Sequence, residues 1–160
     1  MIRTHLRRTW RRLPEFRLLA LGLALELLWE VAQFPLYDVW HQNDWGYILY
    51  ALAHCTLGDL LILLVAYEIV AAVRHDRVWY RHSPLAGAAL FTLLGVLYTF
   101  GSEIYNVRIE QSWGYTELMP VLPVLGVGGV PFLQWLLIPP VLVWLLWLLG
   151  DMGRAPDAGH

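Results

Sequence analysis

The sequence predicts an all-α integral membrane protein whose four helices form an antiparallel bundle. Hydrophobic residues make up 58% of its 160 residues and charged residues only 15%, whereas charged residues are about 25% of an ordinary soluble domain. The apolar residues gather into four continuous blocks, each long enough to cross a hydrocarbon layer about 30 Å thick. Because lipid offers no partner to backbone amides, helices are expected there. The blocks do not alternate in polarity, which excludes a barrel.

The four blocks predict a single membrane domain over residues 1–160. We expect spans at 18–37, 50–73, 85–105 and 121–149, with tails at 1–17 and 150–160. The first block follows six Arg residues, as a secretory signal would. However, Glu26 and Glu30 interrupt it, and it continues into Val31 without the small-residue cleavage site of a signal peptide. We therefore interpret it as a retained first helix.

The fourth block is longer than a bilayer requires and contains three prolines, Pro131, Pro139 and Pro140. Proline removes a backbone donor and clashes with the preceding turn of a helix. We therefore expect this helix to be kinked near residues 138–140. We interpret these prolines as serving helix packing and a bend, in preference to a gating hinge.

Arginine placement predicts the orientation of the spans. The N-terminal tail is Arg-rich and residues 74–81 hold three more Arg, whereas residues 38–47 hold two acids and no Arg. Both termini are thus expected in the cytoplasm, and we predict a multi-pass protein of a bacterial inner membrane. Aromatic residues at the ends of the spans suit the membrane interface. The formal net charge of −2 gives no indication of nucleic-acid binding, and none is expected.

Acidic residues within the spans are the strongest functional signal, because an Asp at a span centre costs about 2.5–3.5 kcal/mol on insertion scales. The five are Glu26, Glu30, Asp59, Glu68 and Glu103. On the first helix, a spacing of four, three and four residues places the acids on one face with other polar side chains, namely Glu26, Glu30, Gln33 and Tyr37. Like charges one turn apart repel, so at least one of the two glutamates is expected to hold a proton.

These residues predict a buried carboxylate and histidine site in the non-cytoplasmic half of the membrane. Carboxyl groups in different environments, with a His beside them, suit acid–base catalysis. The candidate catalytic residues are Glu26 or Glu30 as acid and His54 or Asp59 as base. Candidates for substrate binding are Gln33, Tyr98, Glu103, Asn106 and Gln134. If a divalent metal binds, its expected ligands are Glu30, His54, Asp59 and Glu103.

Three functions remain open at this point. The first is the binding or acid–base processing of a membrane-dissolved, lipid-like small molecule. The second is a proton-coupled transporter or channel subunit within an oligomer, with a proton relay through Glu26, Asp59 and Glu68. The third is an accessory subunit of a membrane complex. Haem is a weaker alternative because His54 is the only His within a span, and the single Cys55 excludes an intrachain disulfide.

Overall fold

The computed structural model describes residues 13–123 and 125–151, without the side chains of residues 150 and 151. Most of the two predicted tails, at 1–12 and 152–160, therefore lies outside the described part. Four long helices are present: α1 Pro14–Gln33, α2 Trp45–Arg74, α3 Pro84–Ile104 and α4 Gly129–Asp151. With the short turns that extend two of them, the four spans are Pro14–Leu36, Trp45–Arg74, Pro84–Ile109 and Gly129–Leu149, each long and apolar enough to cross a membrane. The predicted four-helix membrane bundle is confirmed.

Local signals in the sequence explain where the helices begin and end. Pro14 and Pro84 occupy the first turns of α1 and α3, where a missing amide hydrogen is tolerated. The Asp44 side chain caps α2 by accepting a hydrogen bond from the Tyr47 amide over 3.0 Å. His75 ends α2 in a left-handed conformation with φ of 52°, a common way to close a helix.

The fourth helix begins later than the sequence predicts. The predicted span starts at residue 121, but α4 starts at Gly129. The Gly129 amide donates to the Pro120 carbonyl oxygen over 2.6 Å, and the Leu122 amide donates to the Val127 carbonyl over 2.9 Å. This segment forms a loop because two prolines and three glycines in residues 120–129 disfavour a helix. Pro139 and Pro140 lie inside α4, at the predicted position of the bend.

The helices pack in a ring, α1 against α2, α2 against α3, α3 against α4 and α4 against α1. Helices that follow one another in the sequence run antiparallel to each other. Two buried stripes at helical spacing line the interior: Leu18, Gly22, Glu26, Glu30 and Gln33 on α1, and Gly87, Phe91, Gly95, Thr99 and Glu103 on α3. In both stripes the residues near one end are apolar and those towards the other end are polar.

We call these two regions the closed end and the cavity end. The closed end contains the α2–α3 connection and an apolar core. This core includes five fully buried residues, Leu18, Leu63, Val70, Leu142 and Leu146. The cavity end contains the α1–α2 and α3–α4 connections. A polar interior at one end of a membrane bundle is unusual enough to mark that end as the region to examine for function.

Candidate functional site

A cavity of about 460 Å³ occupies the cavity end and is lined by residues of all four long helices. Its volume falls in the range of about 300–1,000 Å³ that is typical of small-molecule sites. On α2 the lining residues recur at helical spacing along one face, from Tyr47 to Ile62. The carboxyl-bearing residues Glu30, Asp59 and Glu103 all line it, and they come from three different helices.

The wall behind the cavity is a hydrogen-bonded network of two amides and three carboxyl groups. The Gln134 amide nitrogen donates to Glu26 over 2.7 Å and to Asp59 over 3.1 Å. The Gln33 amide nitrogen donates to Glu30 over 2.6 Å and to the Gln134 amide oxygen over 3.1 Å. The network therefore joins α1, α2 and α4, and it brings together five of the residues that the sequence singled out.

Trp29 sets the direction of this network. Its indole nitrogen donates to the Gln33 amide oxygen over 3.1 Å, and an indole nitrogen can only donate. Gln33 must therefore turn its NH₂ group towards Glu30 and the Gln134 oxygen. Gln134 must in turn point its own NH₂ group at the carboxyl groups of Glu26 and Asp59. Nothing in the local sequence pattern indicated this role for Trp29.

The carboxyl groups of Glu30 and Asp59 interact with each other, and both line the cavity. Two ionised carboxyl groups side by side repel each other. We therefore expect the pair to hold one proton, as an acid beside its conjugate base. Glu26 has no exposed surface and does not line the cavity, so of the two candidate acids only Glu30 borders the space that a ligand would occupy.

Glu103 lies apart from this network and has partners of its own. The Tyr115 hydroxyl donates to the Glu103 carboxylate, and the Gly128 amide donates to the Tyr115 oxygen over 2.8 Å. Burial raises the pKa of the Tyr115 phenol above its ordinary value, and the bond to Glu103 raises it further. Tyr115 therefore remains a proton donor at neutral pH. Sequence reasoning missed it because it lies in a loop with no periodic pattern.

The remaining predicted residues are at the rim of the cavity. His54 is exposed and its ring stacks on Tyr50, with ring centres 5.8 Å apart and planes at 24°. Tyr98 is exposed on α3. Asn106 is half-buried and donates to the Ser102 carbonyl and hydroxyl oxygens over 2.9 and 3.2 Å. His54 is thus not a buried member of the carboxyl cluster.

A clamp closes the cavity end on the side of the connecting loops. We use this name for residues 36–38 and 114–116. The Thr116 amide donates to the Leu36 carbonyl over 2.9 Å, the Asp38 amide donates to the Gly114 carbonyl over 3.1 Å, and the Gly114 amide donates to the Asp38 carboxylate over 2.8 Å. The α3–α4 loop is thereby tied to the end of α1.

The proposed metal ligands were Glu30, His54, Asp59 and Glu103. Within the described residues, no group of three or more His, Cys, Asp or Glu side chains lies close enough together to hold a metal ion. His54 at the rim and Glu103 beside Tyr115 are separated from the Glu30 and Asp59 pair by their own contacts. The four predicted ligands thus do not form one cluster in the part of the chain that the structure describes.

Fold and site together define a polytopic membrane protein of four spans with a polar interior cavity. No protein-family model, curated protein or solved structure matches the chain. Function must therefore be argued from the residues of the site itself.

Proposed function

We propose that this protein binds a small, membrane-dissolved molecule in the cavity and exchanges a proton with its polar group. The observation that carries the proposal is the position of the Glu30 and Asp59 pair in the wall of a ligand-sized cavity at the depth of the bilayer. Asp59 lies halfway along a helix of 30 residues, which at about 1.5 Å per residue is longer than the hydrocarbon layer. The pair is thus far from both water-facing ends of α2.

The rim of the cavity supports entry from the bilayer. Three lining residues on α2 and α3 are exposed on the outside of the bundle, Tyr50 at 64%, Tyr98 at 54%, and His54. These positions face lipid when the bundle is in a membrane. The clamp holds the two connecting loops together beside the cavity. A molecule dissolved in lipid would therefore reach the carboxyl groups by passing between α2 and α3.

In this proposal Glu30 and Asp59 are the acid–base pair, and each can give or take the shared proton. Gln33 and Gln134 hold the pair in place and stabilise whichever carboxyl group is ionised. Tyr98 and His54 meet the ligand at the rim. The distribution of Arg supports cytoplasmic termini, which would put the cavity in the non-cytoplasmic half of the membrane.

A proton relay across the membrane is less well supported. Glu68, the third member of that relay, is half-exposed and pairs with Arg77 over 2.9 Å at the closed end. The interior beside the second half of α2 consists of Leu63, Tyr67 and Val70. Carboxyl groups separated by such an apolar core have no hydrogen-bonded path between them, which favours binding over transport.

Two glycines provide a matched test. A Cβ atom at Gly58 or at Gly101 would meet no atom within 4 Å, but only Gly58 lines the cavity. Gly58→Phe should therefore fill the cavity without disturbing the bundle, and Gly101→Phe should leave it open. We expect native mass spectrometry of the mildly solubilised protein to show a small bound molecule in the wild type and in Gly101→Phe, but not in Gly58→Phe. Identical spectra for all three proteins would contradict the proposal.

Cys55 gives an independent test of access, since it is the single cysteine of the chain and lines the cavity. In liposomes, an uncharged alkyl methanethiosulfonate should modify Cys55 at least about tenfold faster than its trimethylammonium-bearing analogue, because a fixed charge partitions poorly into lipid. Gly58→Phe should slow the uncharged reagent and Gly101→Phe should not. The exposed Glu117, which does not line the cavity, controls for the reactivity of the charged reagent as Glu117→Cys in a Cys55→Ala background. Equal rates for both reagents at Cys55 would indicate entry from water.

A further inference from the structure

The amide groups of the site have no hydrogen-bond donor left for a ligand. A primary amide carries two N–H donors, and both are in use in each case. Those of Gln33 go to Glu30 and to the Gln134 oxygen, and those of Gln134 go to Glu26 and Asp59. The amide donors of Gln33 and Gln134 are therefore committed to other groups of the wall.

What the carboxyl groups of the wall offer a ligand is acceptors. An ionised carboxyl group accepts at about four lone-pair positions, and Glu30, Asp59 and Glu103 all border the cavity. Among the described residues that line it, none is Arg or Lys. An anionic head group, such as a phosphate or a carboxylate, would meet these acids without a balancing cation, and repulsion between like charges opposes such binding.

The rest of the lining suits a positive charge on an apolar body. Aromatic rings line the same cavity: Tyr50 and Tyr98 on α2 and α3, Trp113 in the α3–α4 loop and Trp135 on α4. The face of an aromatic ring attracts a cation, by about 0.5–1 kcal/mol at exposed sites and more where water is excluded. The same rings offer apolar surface to hydrocarbon. Donor supply, charge and ring placement are three separate features, and they favour the same ligand chemistry.

We propose that the ligand is a lipophilic amine. This inference rests on the proposed function, because it concerns the same cavity. The neutral amine enters from the bilayer between α2 and α3, and its nitrogen lone pair takes the proton that Glu30 and Asp59 share. The O–H bond of the acid breaks and an N–H bond forms, which leaves an ammonium ion beside two carboxylates. No other reactant is needed, and the reverse step releases the neutral amine to the membrane.

Three compounds with the same compact hydrocarbon cage separate the possible head groups: 1-adamantanamine, 1-adamantanol and 1-adamantanecarboxylate. We would measure their binding at neutral pH by calorimetry to the full-length protein in phosphatidylcholine nanodiscs, and subtract the signal of empty discs. The amine should bind at least about tenfold more tightly than the alcohol, because a hydrogen bond to a charged group exceeds a neutral one by roughly that factor. The carboxylate should show no saturable binding.

Variants then test whether the named acids cause the preference. Asp59→Asn should weaken amine binding by at least about tenfold and change alcohol binding by less than about twofold, since only the amine gains from a negative charge. Glu68→Gln is the matched control: it removes a carboxyl group from the same helix outside the cavity, and it should change neither affinity. If Asp59→Asn does not fold, Glu103→Gln serves instead, with the same expected preference.

The possible results are distinct. Alcohol binding as tight as amine binding, or saturable carboxylate binding, would overturn the amine inference and leave the proposed function intact. The absence of binding by all three compounds would also overturn it. In that case the labelling of Cys55 tests the proposed function separately. Rapid labelling by the uncharged reagent that Gly58→Phe slows would support the proposed function without the amine. Without such labelling, both the amine inference and the proposed function would be contradicted.

Discussion

Two tryptophans make the same contact with α3 at the two ends of the bundle, with different results. Trp79 lies against Gly87, where an added Cβ would be 2.1 Å from the indole, and Trp135 lies against Gly95, where the distance would be 2.0 Å. Both indoles are almost fully buried. Trp79 is surrounded by Tyr67 and Phe91, with ring centres 5.3 and 5.8 Å away. Trp135 instead forms part of the cavity wall.

The comparison shows how one packing device serves two purposes. A glycine in the stripe of α3 lets a large ring approach the helix backbone closely, which gains contact area without a polar group. At the closed end other rings complete the core. At the cavity end the stripe continues as Thr99 and Glu103, and space remains. The closed end holds the helices in position, and the cavity end uses that rigidity to hold carboxyl groups around an opening.

The largest expected effects test this division directly. Trp79→Ala and Trp135→Ala should each lower the free energy of unfolding by about 3–5 kcal/mol, because each leaves a hole the size of an indole. Only Trp135→Ala should also change the rate at which the uncharged reagent labels Cys55. Unfolding would be followed in mixed micelles. Trp144→Ala, at a ring that is 57% exposed, is the control, with an expected change within about 0.5 kcal/mol. Faster labelling in Trp79→Ala would show that the two ends are not independent.

A smaller loss of stability is expected from Gln134→Leu. The substitution keeps approximate size but removes the donors to Glu26 and Asp59. A buried acceptor without a partner costs about 1–3 kcal/mol, and the free energy of unfolding should fall by that amount. The exposed Gln42, changed to Leu in parallel, should have almost no effect. Unchanged stability in Gln134→Leu would mean that the network does not hold the cavity end together.

The smallest effect is expected at the closed end, where Arg77 pairs with Glu15 and Glu68. The Arg77 side chain is 63% exposed, and exposed ion pairs contribute less than about 1 kcal/mol. Arg77→Gln should therefore lower stability slightly at low salt and not at all at high salt, where charges are screened. Labelling of Cys55 should not change. A loss that persists at high salt would assign the closed end a larger electrostatic contribution.

Much of the fold follows from the sequence because lipid imposes strong local rules. Each span must be long, apolar and helical, so α1, α2 and α3 are predictable to within a few residues. The stripe of Glu26, Glu30, Gln33 and Tyr37 is buried as predicted, since polar side chains in a span avoid lipid. The predicted start of α4 was wrong because hydropathy alone does not distinguish an apolar loop from an apolar helix.

The site was only partly predictable because it depends on which helix faces meet. Periodicity places Glu26 and Glu30 on one face, but it does not indicate that Gln134 covers Glu26 and that Glu30 borders the cavity. The contact between Tyr115 and Glu103 joins a loop to a helix. The fit of Trp135 on Gly95 joins two helices through shape alone. Such contacts cannot be predicted from the spacing of residues along one helix.

The Gln134 bridge has a consequence for how the chain is made. The amide that serves Glu26 comes 108 residues later in the sequence, in the last helix to be synthesised. If the helices enter the bilayer in chain order, Glu26 and Asp59 enter it before their amide partner Gln134 exists. Proton uptake by these two acids would lower the cost of that insertion. Packing of α4 would then supply the amide that joins the two acids, which would make the cluster complete only when the last helix is in place.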